Sequence, residues 1–357
     1  EAQYHAVEEV ESLCGELEGE TYQETISKLW TSIEELAKEP DDVAKRATLI
    51  QTAESFLERS ENIAGQLNKY QLNLNKQISD KVGRINQIGD QIRELNTKIR
   101  QYESNGQAAN DYRDTRNSLM DELGQLAKYT YKENASGIVT INLEGVQFVT
   151  EDTVYHMGTA TISDATKMLK PIWIGNGGTD VYNLDTAYST ENNTDIGSLK
   201  GVLVARGGYI ANYTDIPVSE DYAGGTSDPA YRKAVSEYAN KIEPSVIMTV
   251  QAQFDQLVHG ITTITNDILS PNTTVSDYMK HMGIGTTADI STIVKADGTP
   301  ADIGGILLWD EANAPVGMDE NSTGREALFD RKSMERYTKA TMTMSDGTKY
   351  DVYIYNE

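Results

Sequence analysis

Apolar residues recur at alternating spacings of three and four along three stretches of the chain. One stripe is Ile78, Ile85, Ile92 and Ile99 with Leu74, Ile88, Leu95 and Tyr102. Another is Ile247, Val250, Phe254, Leu257, Ile261, Ile264 and Ile268, and a third, less regular, crosses residues 10 to 64. Such spacing keeps one narrow apolar seam on a helix, the pattern of long helices packed side by side. The seams read as the inside of an intramolecular bundle, with outer faces rich in Asn, Gln, Thr and Lys.

The helical pattern has punctuation. Val10, Leu13, Leu17, Ile26, Leu29, Trp30, Ile33 and Leu36 predict one or two helices interrupted near Gly19 to Thr21. Lys38, Glu39 and Pro40 end that run, and Asp41 is placed to cap a second helix continuing, with local breaks, to Tyr102. Asn105-Gly106-Gln107 closes it. A shorter helix follows from Asn110 to about Ala127, with Asp111, Arg113, Asp114, Arg116, Asp121 and Glu122 on a solvated face and Tyr112, Leu119, Leu123 and Leu126 on an apolar one.

The composition then turns to β-formers. Gly137 to Val149 reads as a hairpin around Gly145, and Lys170 to Ile174 and Thr179 to Leu184 read as strands. A short helix is expected from Ser198 to Tyr213, and a break before Pro244 precedes the regular seam from Ile247 to Pro271. Beyond it, Asp297-Gly298, Gly304-Gly305 and Asp346-Gly347 punctuate short strands, the clearest being a hairpin of Thr341 to Met344 with Lys349 to Tyr355. The expected fold class is α+β: an elongated antiparallel helical bundle, a rod domain over 1–270 with a β-rich insertion at about 131–195, and a β-rich outer domain over 271–357. Whether that outer domain is complete at its C-terminal edge is left open by the pattern. No repeat recurs at solenoid period.

Composition narrows the function classes. A formal charge of −24 and a pI near 4.5 oppose binding to nucleic acid or to an anionic membrane. No apolar run reaches membrane-spanning length. Cys14 alone supplies no disulfide framework and reads as structurally neutral. A start at Glu1 without methionine suggests a piece of a longer protein.

Candidate chemistry is thin. His5, His156, His259 and His281 are scattered, without metal-ligand spacing, and His259 reads as a flank of the second seam. Glu34-Glu35 and Asp41-Asp42 read as solvated or dipole-favoured charges. Gly175-Asn176-Gly177-Gly178 lacks the dinucleotide fingerprint and reads as a turn, and Gly197-Ser198-Leu199-Lys200-Gly201 lacks nucleophile-elbow spacing. Asn-x-Thr/Ser triplets at Asn134, Asn192, Asn212, Asn272 and Asn321 have significance only for a eukaryotic secretory route. No catalytic, cofactor-binding or metal-binding residue is assigned, and the chain is expected not to be an enzyme.

Four segments, in order, resemble the flagellar hook-associated protein 1 family, the FlgK proteins. Leu29-Trp30-Thr31-Ser32-Ile33-Glu34-Glu35-Leu36-Ala37-Lys38-Glu39-Pro40 is similar to the family's aromatic, helix, Leu-Ala-x-x-Pro stretch. Ile85-Asn86-Gln87-Ile88 with Ile92-Arg93-Glu94-Leu95-Asn96 resembles its Ile-Asn-x-Ile and Ile-x-x-Leu-Asn helix. Ala109-Asn110-Asp111-Tyr112-Arg113-Asp114-Thr115-Arg116-Asn117-Ser118-Leu119-Met120-Asp121-Glu122-Leu123 resembles its most specific signature. Gly197 to Arg206 resembles its Gly-x-Leu-x-Gly-Leu-Leu-x-x-Arg element.

The resemblance implies a structural subunit of the bacterial flagellum at the hook-filament junction, exported by the flagellar type III apparatus and assembled outside the cell. It implies copies of the chain in a ring, hook protein and the second junction protein as partners, and an export chaperone acting on a terminal segment outside this chain. Without the terminal core-forming helices of the family, the fragment is expected to be monomeric. The alternatives are a helical signalling module of chemoreceptor type, which predicts helix throughout, or another axial protein, flagellin or the second junction protein. An enzyme with a helical insertion is a third option, disfavoured by the lack of convergent polar residues.

Overall fold

Val43 to Ser104 forms one unbroken helix in the computed structural model, which describes residues 2–13, 21–163, 166–183, 196–284, 289–314, 328–329 and 337–356. In chain order the helices are α1 (Ala2–Leu13), α2 (Tyr22–Lys38), α3 (Val43–Ser104), α4 (Asn110–Leu126), α5 (Ser198–Arg206), α6 (Pro229–Glu237), α7 (Val246–Leu269) and α8 (Val275–Met282). Cys14, Leu17, Asn192 and Asn321 lie outside the described residues. The strands, likewise in chain order, are β1 (Tyr129–Glu133), β2 (Val139–Leu143), β3 (Val146–Val149), β4 (Met157–Thr161), β5 (Leu169–Trp173), β6 (Thr179–Asp180), β7 (Asn272–Thr274), β8 (Ile290–Lys295), β9 (Pro300–Ala301), β10 (Leu307–Trp309), β11 (Tyr337–Met344) and β12 (Lys349–Tyr355). The α+β class follows, and antiparallel sheets among the helices contradict a signalling module that is helical throughout.

The chain divides into two compact units, one of Glu1–Thr25 with Glu58–Gln256 and one of Ile26–Leu57 with Leu257–Glu357. In the first, α3 presents Ile63, Leu67, Leu74, Ile78, Val82, Ile85, Ile88 and Ile92 to a single core. Ala6 and Val10 of α1, Met120 and Leu123 of α4, Leu199, Val202 and Leu203 of α5 and Ile247 of α7 fill it, as do Ile141, Phe148, Met157 and Trp173 from two small sheets. Those sheets run in the orders β1-β2-β3 and β4-β5-β6, all antiparallel. Gly89 lets β3 approach α3, since a Cβ there would lie 2.6 Å from Phe148 Cζ. The α3 seam behaves as its spacing predicts up to Ile99, whereas Tyr102 is turned outward.

In the second unit, α2 and the first part of α3 form a helical hairpin. Its cap is Asp42 rather than Asp41: Asp42 Oδ1 accepts the Ala44 N–H at 2.7 Å, satisfying a donor that the helix cannot. Leu29, Leu49, Ala53 and Phe56 are buried there, and Ser32 and Thr52 join their hydroxyls at 2.8 Å. The six-stranded sheet has the order β7-β10-β12-β11-β8-β9, and α8 packs on it through Val275 and Met279. Alternate residues Ala340, Met342 and Met344 of β11 and Val352 and Ile354 of β12 enter the same core, as a half-buried strand requires. The Asp346-Gly347 turn is as read, with Gly347 at φ 89° and Asp346 Oδ1 accepting the Thr348 N–H at 2.8 Å.

Three further expectations need correction. The helix from Ser198 stops at Arg206 instead of Tyr213, because Gly207 adopts φ 74° in a space where a Cβ would meet Met248 Sδ at 2.1 Å. Arg116 is not on a solvated face: it is 2% exposed and shares the buried line of α4 with Met120 and Leu123. The α7 seam is not continuous interior, since Leu257, Ile264 and Ile268 are exposed while Thr265 and Asn266 turn inward.

Candidate functional site

Among the described residues, polar side chains that the helices bury or half-bury converge on backbone. Asn96 Nδ2 donates to the Val139 carbonyl at 2.8 Å while its Oδ1 accepts the Val139 N–H at 3.1 Å. About three helical turns earlier, Asn86 makes the same pair of bonds to Met157, at 2.8 and 2.9 Å. About three turns earlier again, Asn75 Oδ1 accepts the Leu169 N–H at 2.8 Å. Each asparagine amide does for β2, β4 or β5 what a neighbouring strand would do, so backbone groups facing a helix are not left unpaired. In the second unit Asn266 repeats the device, holding the N–H and C=O of Phe329 at 2.9 and 2.7 Å, and Phe329 stacks edge-on against Phe56.

Two arginines, Arg116 and Arg206, lock these rungs. Arg116 Nη1 donates to Asn96 Oδ1 at 2.9 Å and to the Gly137 carbonyl, and Nη2 reaches Glu133 at 3.0 Å. Arg113, one position before Asp114 on the same helix, grips Glu103 through two bonds of 2.7 and 2.9 Å and Glu133 at 2.6 Å. Its guanidinium holds the Glu103 carboxyl below the usual carboxylate range. At Glu133 burial pushes upward, but the two arginine hydrogen bonds leave the carboxyl lowered.

Arg206 is 1% exposed, and its described partners are Asn75 Oδ1 at 2.6 Å, the Leu169 carbonyl at 2.6 Å and the Gly207 carbonyl at 2.7 Å. Burial brings its guanidinium down to about 10. Beside it Gln71 Nε2 donates to the carbonyls of Arg206 and Tyr209, each at 2.8 Å, and Gln71 Oε1 accepts from Gln251.

The residues considered as chemistry from the sequence lie apart from this network. His5 bonds Glu8 and His156 bonds Asp90, both pairs exposed, while His259 is on α7 and His281 on α8. Among the described residues no group of three or more His, Cys, Asp or Glu is arranged to hold a metal. Glu35 pairs with Lys38 and Lys45, and Asp41 with Arg46. Ser198 accepts from Lys81 Nζ at 3.1 Å, and Gly197 is required by packing, since a Cβ would lie 2.8 Å from the Ala127 backbone. Gly175 to Gly178 forms the turn between β5 and β6, with Gly177 left-handed. Among the described residues no helix is long and apolar enough to cross a membrane.

Sequence reasoning missed the asparagine rungs and both arginine locks, although Asn86, Asn96, Arg116 and Arg206 all stand in the family-like segments. The available signal was placement: an asparagine or arginine at a seam position must carry its hydrogen-bond partners inside.

Comparison with known proteins agrees with these segments. A family model described as the flagellar hook-associated protein FlgK helical domain matches residues 7–277, a stretch that contains all four. Among solved structures, the flagellar hook junction protein FlgK from Burkholderia pseudomallei is similar with a TM-score of 0.53 at 17% sequence identity. That match covers 98% of this chain and 54% of the other, so the chain spans about half the length of that structure, and at this identity the likeness is one of fold. No curated protein matches the chain significantly. With the family match extending over most of the sequence, the chain belongs to the FlgK family of flagellar hook-associated proteins, structural components of the bacterial flagellum.

Proposed function

We propose that the chain is part of the subunit that joins hook to filament, acting through extended subunit-subunit contacts. The observation that carries this reading is the family match over residues 7–277. The internal chemistry supports it: Asn86, Asn96 and Arg206 of the family-like segments spend their side chains on the backbone of the strands beside them, at Met157, Val139 and Leu169. Its partners in this reading are other copies of itself, hook protein and the second junction protein. The protein leaves the cell through the flagellar export apparatus, and a chaperone binds a terminal segment outside this chain.

The proposed domain organisation keeps a helical domain over 1–270, with its β-rich insertion at about 131–195, and a β-rich domain over 271–357. The latter has an apolar core made wholly from its own residues, from Val275 to Ile354. Deletion of the gene tests the function. Cells should then carry hooks without filaments and release filament protein into the medium, with the intact gene restoring filaments. Normal filaments in the deletion strain would overturn the proposal.

A further inference from the structure

The chain contains four places where Asn or Asp precedes Gly: Asn105-Gly106, Asn176-Gly177, Asp297-Gly298 and Asp346-Gly347. In any such pair the glycine nitrogen is the nucleophile that can attack the preceding side-chain carbonyl, and glycine leaves the approach unobstructed. The fold separates the four. Gly106 donates its N–H to the Glu103 carbonyl at 3.0 Å, Gly298 to Lys295 at 2.9 Å and Gly347 to Met344 at 3.0 Å. Gly177 follows the 3-10 turn Ile174–Asn176, and alone among the four its N–H makes no close, well-aligned hydrogen bond to a described acceptor; a Cβ placed there would meet nothing within 4 Å. Asn176 and Gly177 are both exposed, at the tip between β5 and β6.

We propose that Asn176 is a site of spontaneous, fold-directed deamidation in this protein. The Gly177 nitrogen gives up its proton to solvent and bonds to Asn176 Cγ. The Cγ–Nδ2 bond breaks, and that nitrogen departs as ammonia after taking up a proton. One water then opens the succinimide at either carbonyl, leaving aspartate or isoaspartate at position 176. No oxidant or reductant is involved, because the net change is amide plus water to carboxylate plus ammonium. The product adds a negative charge to a turn flanked by the Lys170–Asp180 ion pair, and isoaspartate also lengthens the backbone there. Asn105 has the same sequence chemistry, but its glycine N–H must first leave the C-terminal turn of α3.

The test is to incubate the purified folded chain at mildly alkaline pH in oxygen-18 water and map label uptake by peptide mass spectrometry, with a parallel incubation in denaturant. Conversion at Asn176 should run about five- to tenfold faster than at Asn105 in the folded chain, the factor for one hydrogen bond that need not be broken. In denaturant the two rates should come together. An equal or faster rate at Asn105 in the folded chain, an unconverted Asn176, or an unchanged ratio in denaturant would each overturn the proposal.

Discussion

Replacing Asn96 with Ala removes one rung without touching the apolar seam on either side of it. Asn96 is 2% exposed and makes three bonds: to the Val139 carbonyl at 2.8 Å, from the Val139 N–H at 3.1 Å and from Arg116 Nη1 at 2.9 Å. Alanine strands both Val139 backbone groups, and Arg116 loses one acceptor while keeping Gly137 and Glu133. A buried group left unpaired costs roughly 1–3 kcal/mol, so the expected loss is about 4 kcal/mol. That is a large share of the roughly 5–15 kcal/mol that holds a domain together. Two units make a single unfolding free energy a poor readout, and exchange of the Val139 amide reports the affected joint directly. Loss of about 4 kcal/mol accelerates that exchange about a thousandfold, at tenfold for each roughly 1.4 kcal/mol. The exposed neighbour Gln91, changed to Ala, serves as control and should leave it unaltered. Acceleration of less than about threefold in N96A, against that expected loss, would refute the rung as a stabilising joint.

Two helix glycines give a matched pair. Gly83→Ala, with nothing within 4 Å of the added Cβ, should raise the melting temperature through a gain of about 1 kcal/mol in helix propensity. Gly89→Ala should lower it, losing roughly 1–3 kcal/mol as the Cβ meets Phe148 Cζ at 2.6 Å and Val154 Cγ1 at 2.9 Å; shifts of the same sign would contradict the packing described. Phe56→Ala, at a fully buried site against Phe329, should cost about 3–5 kcal/mol, read locally as faster hydrogen exchange of the Phe329 amide, and a loss below about 1 kcal/mol would count against that contact. Glu103 and Glu133 have folded-state pKa values lowered beneath the ordinary 4.5, so their contribution is present above that value and disappears as pH falls through the lowered ones. Carboxyl NMR titration should show both midpoints lowered and Arg113→Gln moving them upward; midpoints at or above 4.5 in the unaltered protein would contradict the ion-pair assignment.

The helices and tight turns were legible because each is encoded locally. The seam from Leu74 to Ile99 states its period outright, and Asp346-Gly347 supplies the conformation that its hairpin needs. Pairings that join distant segments have no local record: β7 beside β10, and β10 beside β12, could not be read from spacing. Arg116 was assigned to solvent because a charge usually means surface, yet its place four residues before Met120 is a seam position. The end of α5 is hidden for a related reason, since the apolar run continues through Tyr209 and Ile210 while Gly207, at a positive φ that other residues avoid, turns the chain away. Outward-facing Ile264 and Ile268 show the reverse case, with a regular seam in sequence and an exposed one in this fold.

This chain has its proposed place at the junction between hook and filament. Gold-labelled antibodies raised against it and applied to isolated flagella test that most directly. Label confined to one narrow zone where the hook meets the filament is the predicted result; label along the filament, or none on the flagellum, would contradict it.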